Sequence, residues 1–204
     1  MPGRAVSESP GAPGLYGKLA SHGDFVTRRL PPGFVREWDA WLQAGTLDGR
    51  ARYGKAWLGR YLEAPVWRFA LAPGVCGQAA MAGVLLPSVD RVGRYFPLTL
   101  AAGCASPATS DEAWFDRLAD LAVCAMCGDL SLDALDLALQ RLGPPPHAPA
   151  LAWPPDPGAM DGRAAFWTEA EPGVPAMLLL CAALPNARTL GDMLTQDPAP
   201  SWRA

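Results

Sequence analysis

Residues 82–102, AGVLLPSVDRVGRYFPLTLAA, set two apolar runs of strand length on either side of a charged segment. The first run, GVLL, is continuously apolar, as in a buried strand. In the second run, residues 95–101, the side chains alternate between two faces, which is typical of a half-buried strand. The segment between the runs carries Asp90, Arg91 and Arg94. Burying such groups unpaired is costly, so we expect them to pair or to reach water.

The chain has 204 residues, half of them hydrophobic, which favours one domain with one substantial core. Strands are predicted at residues 15–19, 66–71, 78–86, 95–102, 164–168 and 174–183. Helices are predicted at residues 31–45, 48–65, 110–128, 131–143 and 187–195. Gly45 is interpreted as the stop of the first helix and Asp48 as the cap of the second. These elements predict an α/β fold, a three-layer α/β/α sandwich with a mixed, largely antiparallel sheet of about six strands.

The predicted domain spans residues 14–196 and is flanked by short polar tails. Residues 1–13 are rich in Pro, Gly and Ser, and with residues 197–204 they have little to bury. Residues 144–160 hold seven prolines and are predicted to form a long extended loop within the domain.

The net charge of −3 argues against a nucleic-acid-binding protein, which depends on neutralising phosphates. Residues 14–94 contain eleven Lys or Arg against six Asp or Glu, whereas residues 95–204 contain five against thirteen. Two interpretations stay open. The halves complement each other within the fold, or one half presents a charged face to a partner.

No apolar run reaches the roughly 18 to 20 residues of a membrane-spanning helix, and the first residues lack the apolar region of a signal peptide. We therefore expect a cytoplasmic protein without membrane insertion. Its five cysteines are expected to be reduced thiols. Cys124 and Cys127 fall in the last turn of a predicted helix and are interpreted as core cysteines, not as a redox pair or metal site. We expect no metal and no cofactor.

Several charged side chains are predicted to converge at one end of the sheet. They are Asp24, Arg28, Arg29, Arg68, Asp90, Arg91 and Arg94. They form either an internal ion-pair network or a site for an anion or peptide, for which arginine is suited. Residues 21–24, Ser-His-Gly-Asp, are interpreted as a turn with Gly23 at positive φ, because neighbours in a turn cannot align as a catalytic triad. Trp38 and Trp41 have the spacing of a helix core, and Trp67 lies on a strand that is a candidate border of a groove.

The chain contains several long motifs in a fixed order: GLYGKLASHGDFVTRRLP (14–31), FVREWDAWL (34–42), PVWRFALAPG (65–74), GVLLPSVDRVGRYFPLT (83–99) and FWT (166–168). Together they resemble the TagF family, accessory proteins of the bacterial type VI secretion system. The resemblance spans residues 14 to about 194. It implies a three-layer fold, a cytoplasmic location, no catalytic activity, and repression of secretion-apparatus assembly after translation. The implied partner is the system's scaffold protein with a forkhead-associated (FHA) domain.

Carried over by position, the resemblance gives a set of candidate partner-binding residues. They are Ser21, Asp24, Phe25, Arg28, Trp67, Arg68, Ser88, Asp90, Arg91, Arg94 and Tyr95. Gly23, Gly93, Trp38 and Trp41 are assigned structural roles. The leading hypothesis is a regulatory binding protein that uses residues 21–28 and 88–95. The alternatives are an enzyme or anion sensor that uses the same cluster, and an adaptor that docks through its acidic helices, residues 111–120 and 129–136.

Overall fold

The computed structural model describes residues 11–104, 112–146, 162–170 and 176–195. Its strands are β1 (Gly14–Gly17), β2 (Val26–Arg28), β3 (Trp67–Leu71), β4 (Met81–Leu86), β5 (Leu98–Gly103), β6 (Ala164–Trp167) and β7 (Leu178–Cys181). Its α-helices are α1 (Pro32–Tyr53), α2 (Trp57–Leu62), α3 (Glu112–Cys127), α4 (Leu132–Leu142) and α5 (Ala187–Met193). The predicted helix start at residue 110, most of the loop 144–160, the tail 197–204 and all but the last three residues of the tail 1–13 lie outside the described residues.

The strands form one sheet of seven, in the order β2-β1-β5-β4-β3-β6-β7. The predicted α/β fold is confirmed, with one strand more than expected. Each pair of neighbouring described strands is antiparallel, so the expected mixed character is absent from this sheet. The additional strand is β2, which has three residues and exposes two of them, Thr27 and Arg28. It therefore lacks the alternating pattern by which a strand is recognised.

Alternate side chains of the central strands enter two cores, one on each face of the sheet. Trp67, Phe69 and Leu71 of β3 belong to the core that includes residues of α1, α2 and α5. Ala70, between them, belongs to the core that includes residues of α3 and α4. Because successive strand residues point to opposite faces, this division produces the three-layer α/β/α arrangement.

Helix α1 continues for 22 residues through Gly45, so the predicted stop there is wrong. A Cβ atom added at Gly45 would lie 2.3 Å from Cγ of Leu190 in α5. The glycine therefore serves the close approach of α5 to α1. Asp48 does not cap a second helix but pairs with Arg52 one turn later, at 2.5 Å. Helix α1 ends at Tyr53, and a short 3-10 turn (Gly54–Ala56) connects it to α2.

Helices α3 and α4 lie on the opposite face of the sheet from α1. The Ser131 hydroxyl accepts a hydrogen bond from the Ala134 amide and so caps the start of α4. Cys124 and Cys127 do lie in the last turn of α3, but both are exposed, so their interpretation as core residues is wrong. None of the helices in the described ranges is both long and apolar enough to cross a bilayer.

Candidate docking surface

The turn after β1 and the turn after β4 lie side by side at one end of the sheet. The Arg91 amide donates a hydrogen bond to the His22 carbonyl at 2.9 Å, and the Arg94 guanidinium donates one to the Gly23 carbonyl. Arg94 Nη2 lies 3.9 Å from Asp24 Oδ1. The predicted approach of these two turns is therefore present. We call residues 21–25 and 91–95 together the turn surface.

The buried Asp90 carboxylate fixes the second turn. Its Oδ2 accepts hydrogen bonds from Lys18 Nζ at 2.6 Å and from Arg94 Nε at 2.7 Å. Its Oδ1 accepts from the amides of Val92 and Arg94, at 3.0 and 2.8 Å. Burial alone would raise the pKa of Asp90. The hydrogen bonds from Lys18, Arg94 and the backbone outweigh it and hold the pKa well below its ordinary value.

Lys18 is a residue that the sequence analysis missed. Its side chain is 5% exposed, and its ammonium joins the chain just after β1 to Asp90. The same ammonium lies 4.8 Å from the centre of the Phe25 ring. The sequence feature that could have identified Lys18 is its position between β1 and the turn, within the segment GLYGKLASHGDF.

Ser88 and Tyr61 anchor the start of the second turn to the interior. The Ser88 hydroxyl donates to the Lys18 carbonyl at 2.8 Å. The Tyr61 hydroxyl accepts from the Ser88 amide at 2.9 Å and donates to the Ser88 carbonyl at 3.1 Å. Both side chains are buried. The backbone of this turn is thus fixed by interior groups, which leaves its tip free to face solvent.

The exposed part of the turn surface consists of the aromatic ring of Phe25 and several charged side chains. Phe25 is 45% exposed, although its ring lies 4.9 Å from that of Phe96 and 6.0 Å from that of Tyr16, between centroids. Asp24, Arg91, Val92 and Arg94 are exposed, while Ser21 and Tyr95 are half-buried. The structure brings together at one accessible place six of the candidate residues: Ser21, Asp24, Phe25, Arg91, Arg94 and Tyr95.

Other candidates are buried, which is inconsistent with direct contact to a partner. Trp67 is 1% exposed, and its indole N–H donates to the Met193 carbonyl, so it borders no surface groove. Ser88 and Asp90 are 1% and 3% exposed, and they act within the turn as described. Asp90 can be buried between the apolar strands because its carboxylate is paired with Lys18 and Arg94.

Two arginines predicted to join the cluster lie elsewhere. Arg28, at the far end of β2 opposite Leu15, is exposed and donates to the neighbouring Thr27 carbonyl. Arg29, at φ 55°, donates to the Pro13 carbonyl and pairs with Asp136 of α4. Strand β2 leads the chain away from the turn, so Arg28 at its end and Arg29 just after it do not lie on the turn surface.

Arg68 lies on the face of the sheet that packs against α3. Its guanidinium pairs at 2.5–2.6 Å with the carboxylates of Glu112, Asp116 and Glu169. Burial raises the pKa of Glu112, and repulsion from the charges of Asp116 and Glu169 raises it further. The positive charge of Arg68 lowers the same pKa but does not cancel the rise. These three carboxylates could in principle hold a metal ion, but the Arg68 guanidinium already pairs with all of them. We assign this group a structural role.

The glycines and tryptophans assigned structural roles differ in how they act. Gly93 has φ +84°, which favours glycine, whereas Gly23 is not at positive φ, contrary to the prediction. Trp38 donates from its indole N–H to the Thr99 hydroxyl at 2.8 Å, and both residues are fully buried. Trp41 is also buried and donates to the Pro185 carbonyl.

The basic and acidic halves of the chain are joined by ion pairs inside the fold. Arg29 pairs with Asp136, Arg52 with Asp192, and Arg68 with its three carboxylates. This supports the interpretation that the halves complement each other. It does not account for the turn surface, where Arg91 has no carboxylate partner among the described residues.

A shallow depression among the described residues lies away from the turns, between α3 and α4. It is lined by Arg117, Asp120, Leu121, Ala138, Arg141 and Leu142. An enzyme or anion sensor that used the turn cluster would need a pocket lined by turn residues. None of the residues that line this depression belongs to either turn.

The fold and this surface define a three-layer α/β/α protein whose candidate site is a pair of charged turns held by a buried ion pair. The chain belongs to the family of the TagF N-terminal domain, which is type VI secretion system-associated and whose model matches residues 14–142. The match includes both turns. The structure is similar to the crystal structure of PA0076 from Pseudomonas aeruginosa PAO1, with a TM-score of 0.80 and 36% sequence identity. That similarity covers 92% of this chain and 96% of PA0076. No curated protein sequence matched the chain.

Proposed function

We propose that this protein is a non-catalytic, cytoplasmic accessory protein of a bacterial type VI secretion system. It represses assembly or activation of the apparatus after translation, by binding the FHA-domain scaffold protein. The family supplies the association with the secretion system. The turn surface supplies the place where binding occurs.

The observation that carries this proposal is the fixed juxtaposition of the two charged turns. The Arg91 amide donates to the His22 carbonyl at 2.9 Å, the Arg94 guanidinium donates to the Gly23 carbonyl, and the buried Asp90 carboxylate holds the Arg94 amide. A surface that is rigid before binding loses less conformational freedom on association, which favours protein recognition. Paired Asp and Arg groups also give specificity, because a partner must match both signs of charge.

The test is a pull-down of the purified FHA-domain scaffold with the full chain and its folded variants. Arg91→Ala and Arg94→Ala change exposed side chains of the turn surface, and we expect both to reduce recovery of the scaffold. Arg36→Ala is the matched control, because Arg36 is exposed near the start of α1 and makes only a loose contact of 3.8 Å with Glu37. In cells, the same two variants should fail to repress assembly when they replace the wild type.

Three results would contradict the proposal. Undiminished binding by both turn variants would remove the site assignment. Loss of binding on charge reversal at Asp120 or Asp133 would move the docking site to the acidic helices. Thermal stabilisation by phosphorylated small molecules that requires Arg91 would favour an anion sensor instead.

A further inference from the structure

We propose that the partner face that meets the turn surface is acidic and contains an apolar pocket that receives the Phe25 ring. This inference rests on the proposed function and specifies the chemistry of the protein bound there. It assigns Phe25 as the anchor and Arg50, Arg91 and Arg94 as the groups that select an acidic partner.

Phe25 has the properties of an interface anchor. It is 45% exposed, yet its position is fixed by Phe96 and Tyr16 and by the Lys18 ammonium, whose Nζ lies 4.8 Å from the ring centre. An exposed aromatic ring that is already ordered buries a large apolar area at little entropic cost. Val92, 64% exposed in the second turn, adds apolar surface. A partner pocket therefore gains most by enclosing this ring.

The charges near the ring are predominantly positive. Arg91 is exposed and has no carboxylate within ion-pair distance in the described part of the chain. Arg94 is 55% exposed at its side chain, although it also contacts Asp90. Arg50 reaches the same surface, because its Nη2 donates to the Tyr95 carbonyl at 3.5 Å while its guanidinium stacks on Trp57 at 4.3 Å.

Negative groups do not balance these arginines. Asp24 is exposed, but the Asp90 carboxylate is buried and already satisfied by Lys18 and Arg94. The surface therefore keeps a positive excess, and an acidic partner face is complementary to it. Guanidinium groups bind carboxylates through two parallel hydrogen bonds, which adds geometric selectivity.

The test measures the affinity of the full chain for the purified FHA-domain scaffold by isothermal titration calorimetry, at low and at high salt. We expect Phe25→Ala to weaken binding about tenfold or more at both salt concentrations. Arg91→Glu and Arg50→Glu should weaken binding more strongly at low salt than at high salt, because screening reduces the charge contribution. Wild-type affinity should fall as salt is raised.

Matched controls carry the same chemical changes elsewhere. Leu137→Ala removes an apolar side chain that is 47% exposed on α4, and Arg36→Glu reverses a charge near the start of α1. Both should bind within about twofold of wild type, as expected for residues outside an interface. Thermal melts of every variant verify folding. Arg50→Glu and Arg91→Glu, on different elements, keep the test decisive if one variant is unstable.

The outcomes separate this inference from the proposed function. If the wild type does not bind the scaffold, the proposed function fails and the inference fails with it. If the wild type binds and neither Phe25→Ala nor the arginine variants weaken binding, the proposed function stands and the inference is overturned. A dimer of this chain that dissociates on Arg91→Glu would show that the turn surface is occupied by a second copy, which also overturns it.

Discussion

The Lys18 ammonium lies 2.6 Å from the Asp90 carboxylate at a place where both side chains are buried. This pair connects the chain just after β1 to the turn between β4 and β5. Removing one member of a buried pair leaves an uncompensated charge, which is strongly destabilising. The position of the turn surface therefore depends on an ion pair that lies in the interior.

The Asp90→Asn substitution should make the free energy of unfolding fall less steeply as the solution is acidified. The pKa of Asp90 is lower in the folded protein than in the unfolded chain, so its contribution is full above the ordinary carboxyl pKa. That contribution is lost as pH falls below about 5 towards the depressed value. Urea denaturation at pH 7, 5, 4 and 3 should show a smaller loss of unfolding free energy for the variant than for wild type.

The matched control is Asp24→Asn, an exposed carboxylate of the neighbouring turn. It should leave the free energy of unfolding at pH 7 within about 0.5 kcal/mol of wild type. If the free energy of unfolding changed equally with pH for Asp90→Asn and wild type, the ion pairs of Asp90 would not contribute to stability as described here.

The sequence predicted the approach of the two turns but not the group that fixes it. Alternating apolar residues identified the strands, and the charged segment between apolar runs had to be paired. Nothing in the pattern distinguished a buried lysine from the exposed lysine that is commoner at a strand end, so Lys18 was missed. The sequence also could not predict the burial of Trp67, Ser88 and Asp90, because a motif identifies positions but not their solvent exposure.

Gly45 illustrates a second limit. A glycine in a helical pattern is ordinarily read as a stop, since its conformational entropy lowers helix stability. Here tertiary packing decides the outcome, because α5 approaches so closely that no side chain fits. The partner element lies about 145 residues away in sequence, and local propensity contains no information about it.

Gly45→Ala should therefore destabilise the protein although alanine is the better helix former. The added methyl would lie 2.3 Å from Cγ of the buried Leu190, and such overpacking costs about 1–3 kcal/mol. Gly59→Ala is the matched control in α2, where no atom lies within 4 Å of the added Cβ. It should be neutral or stabilising by up to about 1 kcal/mol. Chemical denaturation measures both, and a stabilised Gly45→Ala variant would contradict the packing described here.

Trp38 and Thr99 should be energetically coupled. The indole N–H donates to the Thr99 hydroxyl between α1 and β5, and both residues are fully buried. Thr99→Val leaves the N–H unpaired and should cost about 1–3 kcal/mol. Trp38→Phe removes the donor as well as packing area, so the double variant should lose less than the sum of the two single losses. A double-mutant cycle measures the coupling, and strict additivity would argue against the hydrogen bond.

Cys124 and Cys127 should react with a thiol reagent far faster than the other cysteines. Both are exposed at the end of α3, whereas burial raises the pKa of Cys104 to about 12. Burial, together with the nearby charge of Glu37, raises that of Cys76 to about 12 as well. Cys104 and Cys181 are half-buried, and burial raises the pKa of Cys181 as well. Because the thiolate is the reactive form, these two thiols and the buried Cys76 should react slowly at pH 8.

Ellman's reagent at pH 8 should therefore show a rapid phase that the double variant Cys124→Ser/Cys127→Ser abolishes. In denaturant all five thiols of the wild type should react. The comparison also tests the fold, because rapid reaction of Cys76 in the native protein would mean that α1 does not cover it. Cys76 Sγ donates to the Phe34 carbonyl at 3.8 Å, so Cys76→Ser, with a shorter hydroxyl at the same place, provides the complementary variant. Its native rapid phase should equal that of the wild type.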